Sequence, residues 1–247
     1  MNFTYQAYGQ MLQVLRERNY SICTYHNHAD YDKCVILRHD VDMCLDKALR
    51  FAIFERDLDV VSTFFILLTS NHYNIASRKN LRIIKEIVGM GHEIGLHFDE
   101  ARYGRAEILI NAQELIEKER KIMSDILSIN ISVVSMHRPS KDALAADWRF
   151  ENAVNSYSQT FFRNFKYLSD SRRRWREPVM DIITNATHDK LHILTHPFWY
   201  ADEETTASEA IRAFIDSADF RCRDELEANI VDIGEFLQER GSEHEHS

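Results

Sequence analysis

Aspartate and histidine recur in this chain where short apolar runs give out. The first such place is Leu37-Arg38-His39-Asp40-Val41-Asp42. In an extended segment residues two apart share a face, so Asp40 and Asp42 would present their carboxylates to one space. Carboxylates so placed repel each other unless a cation lies between them or one takes up a proton. Asp42 has a second reading, as the cap of a helix that begins near Met43. In Gly91-His92-Glu93-Ile94-Gly95-Leu96-His97 the same alternation sets Glu93, Gly95 and His97 against Ile94 and Leu96. The missing side chain at Gly95 leaves room beside His97, which is either a satisfied core histidine or a ligand, while His92 marks the turn into the strand. Met136-His137-Arg138-Pro139 and Thr195-His196-Pro197 both end in proline, which removes a backbone donor and restrains the residue before it. Phe198, Trp199 and Tyr200 follow His196, and aromatic rings beside an imidazole form a wall suited to a sugar or an acyl group.

These residues can meet only if the runs before them are strands of one sheet. Thr4 can cap a helix over residues 4–18 with Tyr8, Met11, Leu12 and Leu15 on its inner face, and a loop rich in His, Asn and Asp follows. Cys34–His39 reads as a strand, with Leu45, Ala48, Leu49 and Ala52 tracing the next helix. Val60–Leu68 is a second strand. Ser77 caps a helix carrying Leu81, Ile84, Ile87 and Val88, which Gly89 and Gly91 end. Glu93–His97 is the third strand. A long helix with Ile108, Ala112, Leu115, Ile116, Ile122, Met123 and Ile126 inward leads to a fourth, Ile131–Met136. From Lys141 to Thr187 the pattern weakens to helical fragments at Ala143–Trp148 and a strand at Phe165–Ser169. Leu191–Thr195 is another strand. Thr206 opens a helical region over 206–240, in which Ala210, Ile211, Phe214, Ile215, Leu226, Ile230, Ile233 and Leu237 keep the period, and a polar tail begins at Glu243. Strands alternating with helices imply a parallel sheet, and the chemistry-bearing residues then lie at the carboxyl ends of its strands, where such folds build sites. With no repeat or linker in view, residues 1–247 are expected to form a single catalytic domain closing into a barrel.

Taken together, these stretches resemble the polysaccharide deacetylase family, also called the NodB-homology domain or carbohydrate esterase family four, in the branch that carries Arg-His-Asp-Val-Asp. Leu37–Asp42 matches the first motif and Gly91–His97 is similar to the stretch leading into the second. His137–Pro139 resembles the third, Asp170 with Trp175 the fourth, and Leu194–His196 the last, so that the resemblance spans residues 34–200. It implies an α/β fold, a distorted, incomplete (β/α) barrel of the polysaccharide deacetylase type, with a divalent metal at its mouth. The implied activity is a metal-dependent hydrolase that removes an N- or O-acyl group, acetyl above all, from a sugar or surface-polysaccharide precursor. Asp40 would be the general base, His196 the general acid, and Asp42 and His97 metal ligands. Substrate contacts would come from Arg138, Asp170, Trp175 and Trp199. The family's second histidine, four residues after the first, is Ala101 here. His137 is the expected replacement, with Asp99 and Glu100 as nearer carboxylate alternatives, and zinc or a similar transition metal is the expected ion. Arg138 is a candidate for the arginine that orients the base.

Composition bounds the remaining choices. With 7 Gly and 3 Pro in 247 residues the chain is too poor in both for a collagenous or linker-rich protein. Its 30 basic against 39 acidic residues, a formal charge of -9, argue against nucleic-acid or anionic-membrane partners. Arg172-Arg173-Arg174 is the one dense basic run, and it reads either as a solvated face or as an anion site. Four cysteines without a C-x-x-C pairing, and an amino terminus with no basic-then-apolar pattern, make a reducing, cytoplasmic setting the expectation. No apolar stretch is long enough to span a membrane. The partner expected is a small sugar-derived substrate, and the sequence is silent on oligomeric state. The reading that competes with hydrolysis is a non-catalytic carbohydrate-binding or scaffold protein whose site has lost its metal along with the histidine at position 101. A metal-free glycoside hydrolase using Asp40 and a second carboxylate is the third.

Overall fold

The structure, a computed structural model, describes residues 1–233. Its framework is a parallel sheet of β1 (Ser21–Cys23), β2 (Cys34–Val41), β3 (Thr63–Ile66), β4 (Glu93–Asp99), β5 (Val133–His137), β6 (Val154–Asn155), β7 (Lys166–Ser169) and β8 (Lys190–Thr195). The strands lie in the order β6-β5-β4-β3-β2-β8-β7. All of β2 is buried, and one of its edges pairs with β8 from Cys34↔Lys190 to His39↔Thr195. The other edge is shared: β1 covers Cys34–Ile36 and β3 covers Arg38–Val41. Residues 63–66, within the stretch 60–68 read as a strand, lie beside β2.

The sheet curls but does not close, since β6 and β7 end the strand order unpaired with each other. Arg38 on β2 shows the curl directly. Its guanidinium hydrogen-bonds Ser135 on β5, three strands away, where a flat sheet would hold them about 14 Å apart. The result is an incomplete α/β barrel. Helices α1 (Tyr5–Glu17), α2 (Leu45–Arg56), α3 (Arg78–Gly89) and α4 (Arg105–Leu127) supply apolar stripes to its outer face, where Val35, Leu37, Val41, Ile94 and Leu96 meet them. Thr4 caps α1 by accepting from Ala7 N at 3.1 Å, Ser77 caps α3, and Gly91 leaves α3 with φ of 93°. Inside, Cys34, Ile36, Phe65, Val133 and Tyr25 form a smaller apolar floor.

A buried polar network stands behind the sheet. Glu55 of α2, fully buried, accepts from Tyr8 Oη and Ser62 Oγ, both at 2.6 Å, and contacts His39 Nε2 at 3.0 Å. His39 Nδ1 reaches Thr195 Oγ1 at 2.6 Å, so β2 and β8 are tied through side chains as well as backbone. His92 belongs to this network: its ring contacts Ala52 O at 3.1 Å and Ser62 N at 3.2 Å. It is a satisfied core residue rather than only a turn marker.

Several elements differ from the sequence reading. The polar loop after α1 contains β1, and the weakly patterned region holds α5 (Lys141–Ala145), β6, α6 (Gln159–Arg163) and α7 (Val179–Thr184). Trp148 lies beyond α5, and Ile122 is exposed because the inner stripe of α4 runs through Ile116, Glu119 and Met123 instead. A second compact unit begins at Thr205. In it Thr206 and Glu209 form a reciprocal cap for α8 (Ala207–Asn229), none of whose residues is buried. Leu237, the end of the expected helical region and the polar tail lie outside the described residues. No helix among the described residues is long and apolar enough to cross a membrane.

Gly95 has a purpose different from the open space expected beside His97. A Cβ there would lie 2.5 Å from the Phe65 ring and 3.0 Å from Val133 O, so the glycine admits Phe65, over which the Arg38 guanidinium sits 4.9 Å from the centroid. Gly95→Ala is expected to cost about 1–3 kcal/mol through overpacking. Chemical denaturation that shows no loss of stability would contradict this account of the barrel interior.

Candidate active site

Alternation along β2 turns Arg38, Asp40 and, just past its end, Asp42 into the barrel. Arg38 Nε and Nη2 donate to Asp40 Oδ1 and Oδ2, each at 2.8 Å. Arg38 is fully buried, and Ser135, Ser156 and the ring of Tyr157 take up the rest of its guanidinium. Burial alone would push Asp40 up; the Arg38 guanidinium, with His97 and His196 beyond it, holds its carboxyl below the usual range. Arg38 thus occupies the position that the sequence reading offered to Arg138. Arg138 instead points outward, 73% exposed, with Nη2 3.7 Å from Asp99 Oδ2.

Asp42 does not cap α2, whose cap position is Cys44. Its Oδ1 lies 3.3 Å from His97 Nε2, and its Oδ2 lies 3.8 Å from His137 Nε2 and 3.9 Å from His196 Nε2. Burial opposes the charge on Asp42, but the three imidazoles override it and its carboxyl is held well below the usual range. His97, from β4, is 1% exposed, and its Nε2 is also 3.4 Å from Asp40 Oδ2. His137, at the end of β5, turns Nδ1 toward Asp99 Oδ2 at 3.3 Å. Burial, followed by the neighbouring His97, lowers its pKa and favours the neutral form that ligates.

Donor atoms of Asp42, His97 and His137 all lie within 4.8 Å of one another. Two imidazoles and a carboxylate suit a divalent transition metal. Asp42 Oδ1 is buried without a hydrogen bond, a costly state that a cation would relieve, so these residues fit the group. The alternative carboxylates are engaged elsewhere: Asp99 Oδ1 accepts from Ala101 N at 3.2 Å, and Glu100 accepts from Ser140 Oγ at 3.1 Å.

His196 follows β8, and its Nδ1 contacts Asp170 Oδ1 at 2.6 Å while its backbone N donates to Asp170 Oδ2 at 3.1 Å. Asp170 was expected to touch substrate; it is 0% exposed and spent on His196, so no ligand can reach it. Burial would lower the His196 pKa, yet Asp170 raises it to about 9. The imidazole is therefore protonated at neutral pH, with Nε2 turned toward Asp42.

Asp40, Asp42, His97, His137 and His196 line one cavity of about 840 Å³. Trp175 and Trp199 line it too, as does Arg138. Residues that the sequence reading missed also stand on its wall, notably Tyr157, Tyr167 and Arg176.

Asp170→Asn removes the largest of the charges that raise His196 and leaves the burial that lowers it, with Asp40 and Asp42 the remaining carboxylates that raise it. In the metal-free protein the His196 pKa is expected to fall from about 9, followed by NMR of its ring. Because its folded value is the raised one, His196 contributes stability that is complete below about 6.5 and lost as pH rises through about 9. An unchanged titration in the variant would contradict the pairing.

No model of a known protein family matches the chain, and no curated protein does. Similar solved structures include a CE4 family pseudoenzyme from Bacillus anthracis, at 18% identity and a TM-score of 0.44, covering 77% of this chain and 62% of that one. A polysaccharide deacetylase from Bacillus cereus aligns at 18% identity and a TM-score of 0.41, over 76% of this chain and 88% of that one. A family 4 acetyl xylan esterase from Clostridium thermocellum, in complex with a cobalt ion, aligns at 16% identity and 0.40, over 76% and 84%. The chain spans less than two thirds of the length of the Bacillus anthracis protein. These likenesses are remote, and they assign no activity to this chain.

Proposed function

We propose that the chain is a metal-dependent hydrolase that removes an N- or O-acyl group, acetyl above all, from a sugar-derived substrate. The observation that carries this reading is the meeting, in one cavity, of an Asp-His-His donor set with a carboxylate held charged and an imidazole held protonated. The resemblance of residues 34–200 to polysaccharide deacetylases agrees with it, and so do the aromatic walls Trp175 and Trp199.

Asp42, His97 and His137 would hold the ion, with zinc the first candidate. A divalent ion there supplies Lewis acidity, polarising an acyl carbonyl and making water more acidic. Asp40 is the base: water adds to the acyl carbon and gives its proton to an Asp40 carboxylate oxygen. Arg38 keeps that carboxylate ionised and aimed. His196 Nε2 protonates the leaving nitrogen or oxygen as its bond to the acyl carbon breaks, so the products are a free carboxylic acid and the deacylated sugar. Asp170 holds the His196 ring by Nδ1, which leaves Nε2 facing the cavity.

Asp40→Asn is expected to slow acyl release by about 10²- to 10⁴-fold while metal affinity stays within a few fold. Release of acetate from N-acetylated sugars, measured beside metal titration, checks it, and turnover at the parent rate would remove Asp40 from the mechanism. Rate should also fall as pH rises through the pKa of His196, since only the protonated ring can donate. A dication at Asp42 draws that pKa below its metal-free value, and Asp170→Asn should move the alkaline limb lower still. An alkaline limb that stays in place in Asp170→Asn would assign the acid role elsewhere.

A further inference from the structure

The cavity wall carries more positive charge than the hydrolysis just described uses. Asp40 is neutralised by Arg38, Glu177 by Lys166 at 2.5 Å, and Asp42 belongs to the cation site. Arg172 and Arg176 remain on the wall, together with Arg138 at its outer edge beside Asp99, in a chain whose formal charge is -9. Arg172 and Arg176 are exposed and form no ion pair among the described residues. Their neighbour Arg173 is used differently, its guanidinium lying over the rings of Phe3 and Trp199 at 5.4 and 5.8 Å, and Arg174 does not line the cavity. The basic run noted in the sequence therefore splits, and one member of it faces the cavity.

Backbone conformation adds to this. Arg138 and Arg172 have φ of 49° and 60°, in the left-handed region that disfavours residues with a Cβ. Arg138 directly follows the ligand His137, and Arg172 lies two residues after Asp170, the residue that holds His196. The two arginines thus enter the rim from the β5 and β7 sides of the reacting groups.

We propose that the substrate is an acylated sugar bearing an anionic group, phosphate or carboxylate, and that Arg172 and Arg176, joined by Arg138, bind that group at the cavity rim. This rests on the acyl-hydrolase reading and names the substrate class for it. Guanidinium forks pair with either oxyanion through parallel N–H···O bonds. A cavity of about 840 Å³ holds a substituted monosaccharide with its acyl group at Asp42 and its charged group at the rim, against the faces of Trp175 and Trp199.

The test is calorimetric binding of N-acetylglucosamine, its 1-phosphate and the corresponding N-acetylated uronic acid to the full chain loaded with zinc. The charged sugars should bind at least about tenfold tighter than the neutral one, and added salt should erode that advantage. Paired Arg172→Gln and Arg176→Gln changes should abolish the advantage, and the paired lysine variants should restore part of it. Whichever charged sugar gains more identifies phosphate or carboxylate as the source. Equal affinity for all three sugars, no binding of the charged pair, or a preference that survives both glutamines would overturn the proposal. Acetate release separates it from the reading beneath it. Neutral sugars hydrolysed as fast as charged ones would leave the hydrolase standing without its anion site. Charged sugars held through the arginines but never deacylated would leave the anion site standing without the hydrolase.

Discussion

A guanidinium buried inside a barrel is the constraint on which the rest of this structure depends. Arg38 is completely enclosed, and a buried charge left without partners would cost several kcal/mol (about 3–5 when one member of such a pair is removed). It is satisfied from four directions: Asp40 below it on the same strand, Ser135 on β5, Ser156 after β6, and the rings of Phe65 and Tyr157. Ser135, Ser156 and Tyr157 come within reach only because the sheet curls. Gly95 belongs to the same arrangement, since it clears the place in which Phe65 lies against the guanidinium. Closing the curl around Arg38 and fixing the charge of Asp40 are therefore linked through one guanidinium.

Around that centre, each reacting group is paired with a second group that sets its charge or its orientation. Arg38 keeps Asp40 ionised against burial, and three imidazoles do the same for Asp42. Asp99 faces the far nitrogen of His137, and Asp170 grips the far nitrogen of His196. The two histidines nevertheless carry opposite shifts, a difference that follows from surroundings. Burial and then neighbouring His97 lower the pKa of His137, whereas the buried Asp170 carboxylate raises that of His196 against its own burial. Behind the sheet, Glu55 and His39 secure β2 to β8, so the strands that end in Asp40 and His196 keep their register.

Much of this was legible in the sequence, and the exceptions have physical reasons. β2, β3, β4, β5 and β8 announce themselves as apolar runs because both of their faces are buried. β1 and β6, of three and two residues, are too short for any period to show, and so are α6 and α7, while α5 shows only as the helical fragment at Ala143–Trp148. Asp40, Asp42, His97, His137 and His196 could be picked out because each closes a strand. Arg38 could have been found by the same alternation, since it shares a face with Asp40 and Asp42, but a charge in the middle of a buried strand reads as a misfit until its partners are known. The sequence assigns Asp170 to substrate, whereas the structure buries it against His196. Its burial under His196 comes from the pairing of β7 with β8, which no local pattern records. The basic run at 172–174 reads as one patch in sequence, yet left-handed turns at Arg172 and Arg173 send its members to different places.

The central claim is that Asp42, His97 and His137 together hold one divalent ion, with His137 standing in for the histidine absent at Ala101. Elemental analysis of untagged protein, parent beside His137→Ala, tests it most directly. The account predicts about one transition-metal ion per chain in the parent and a large loss in the variant. A parent that stays metal-free after incubation with zinc, or a variant that retains the full complement, would contradict it.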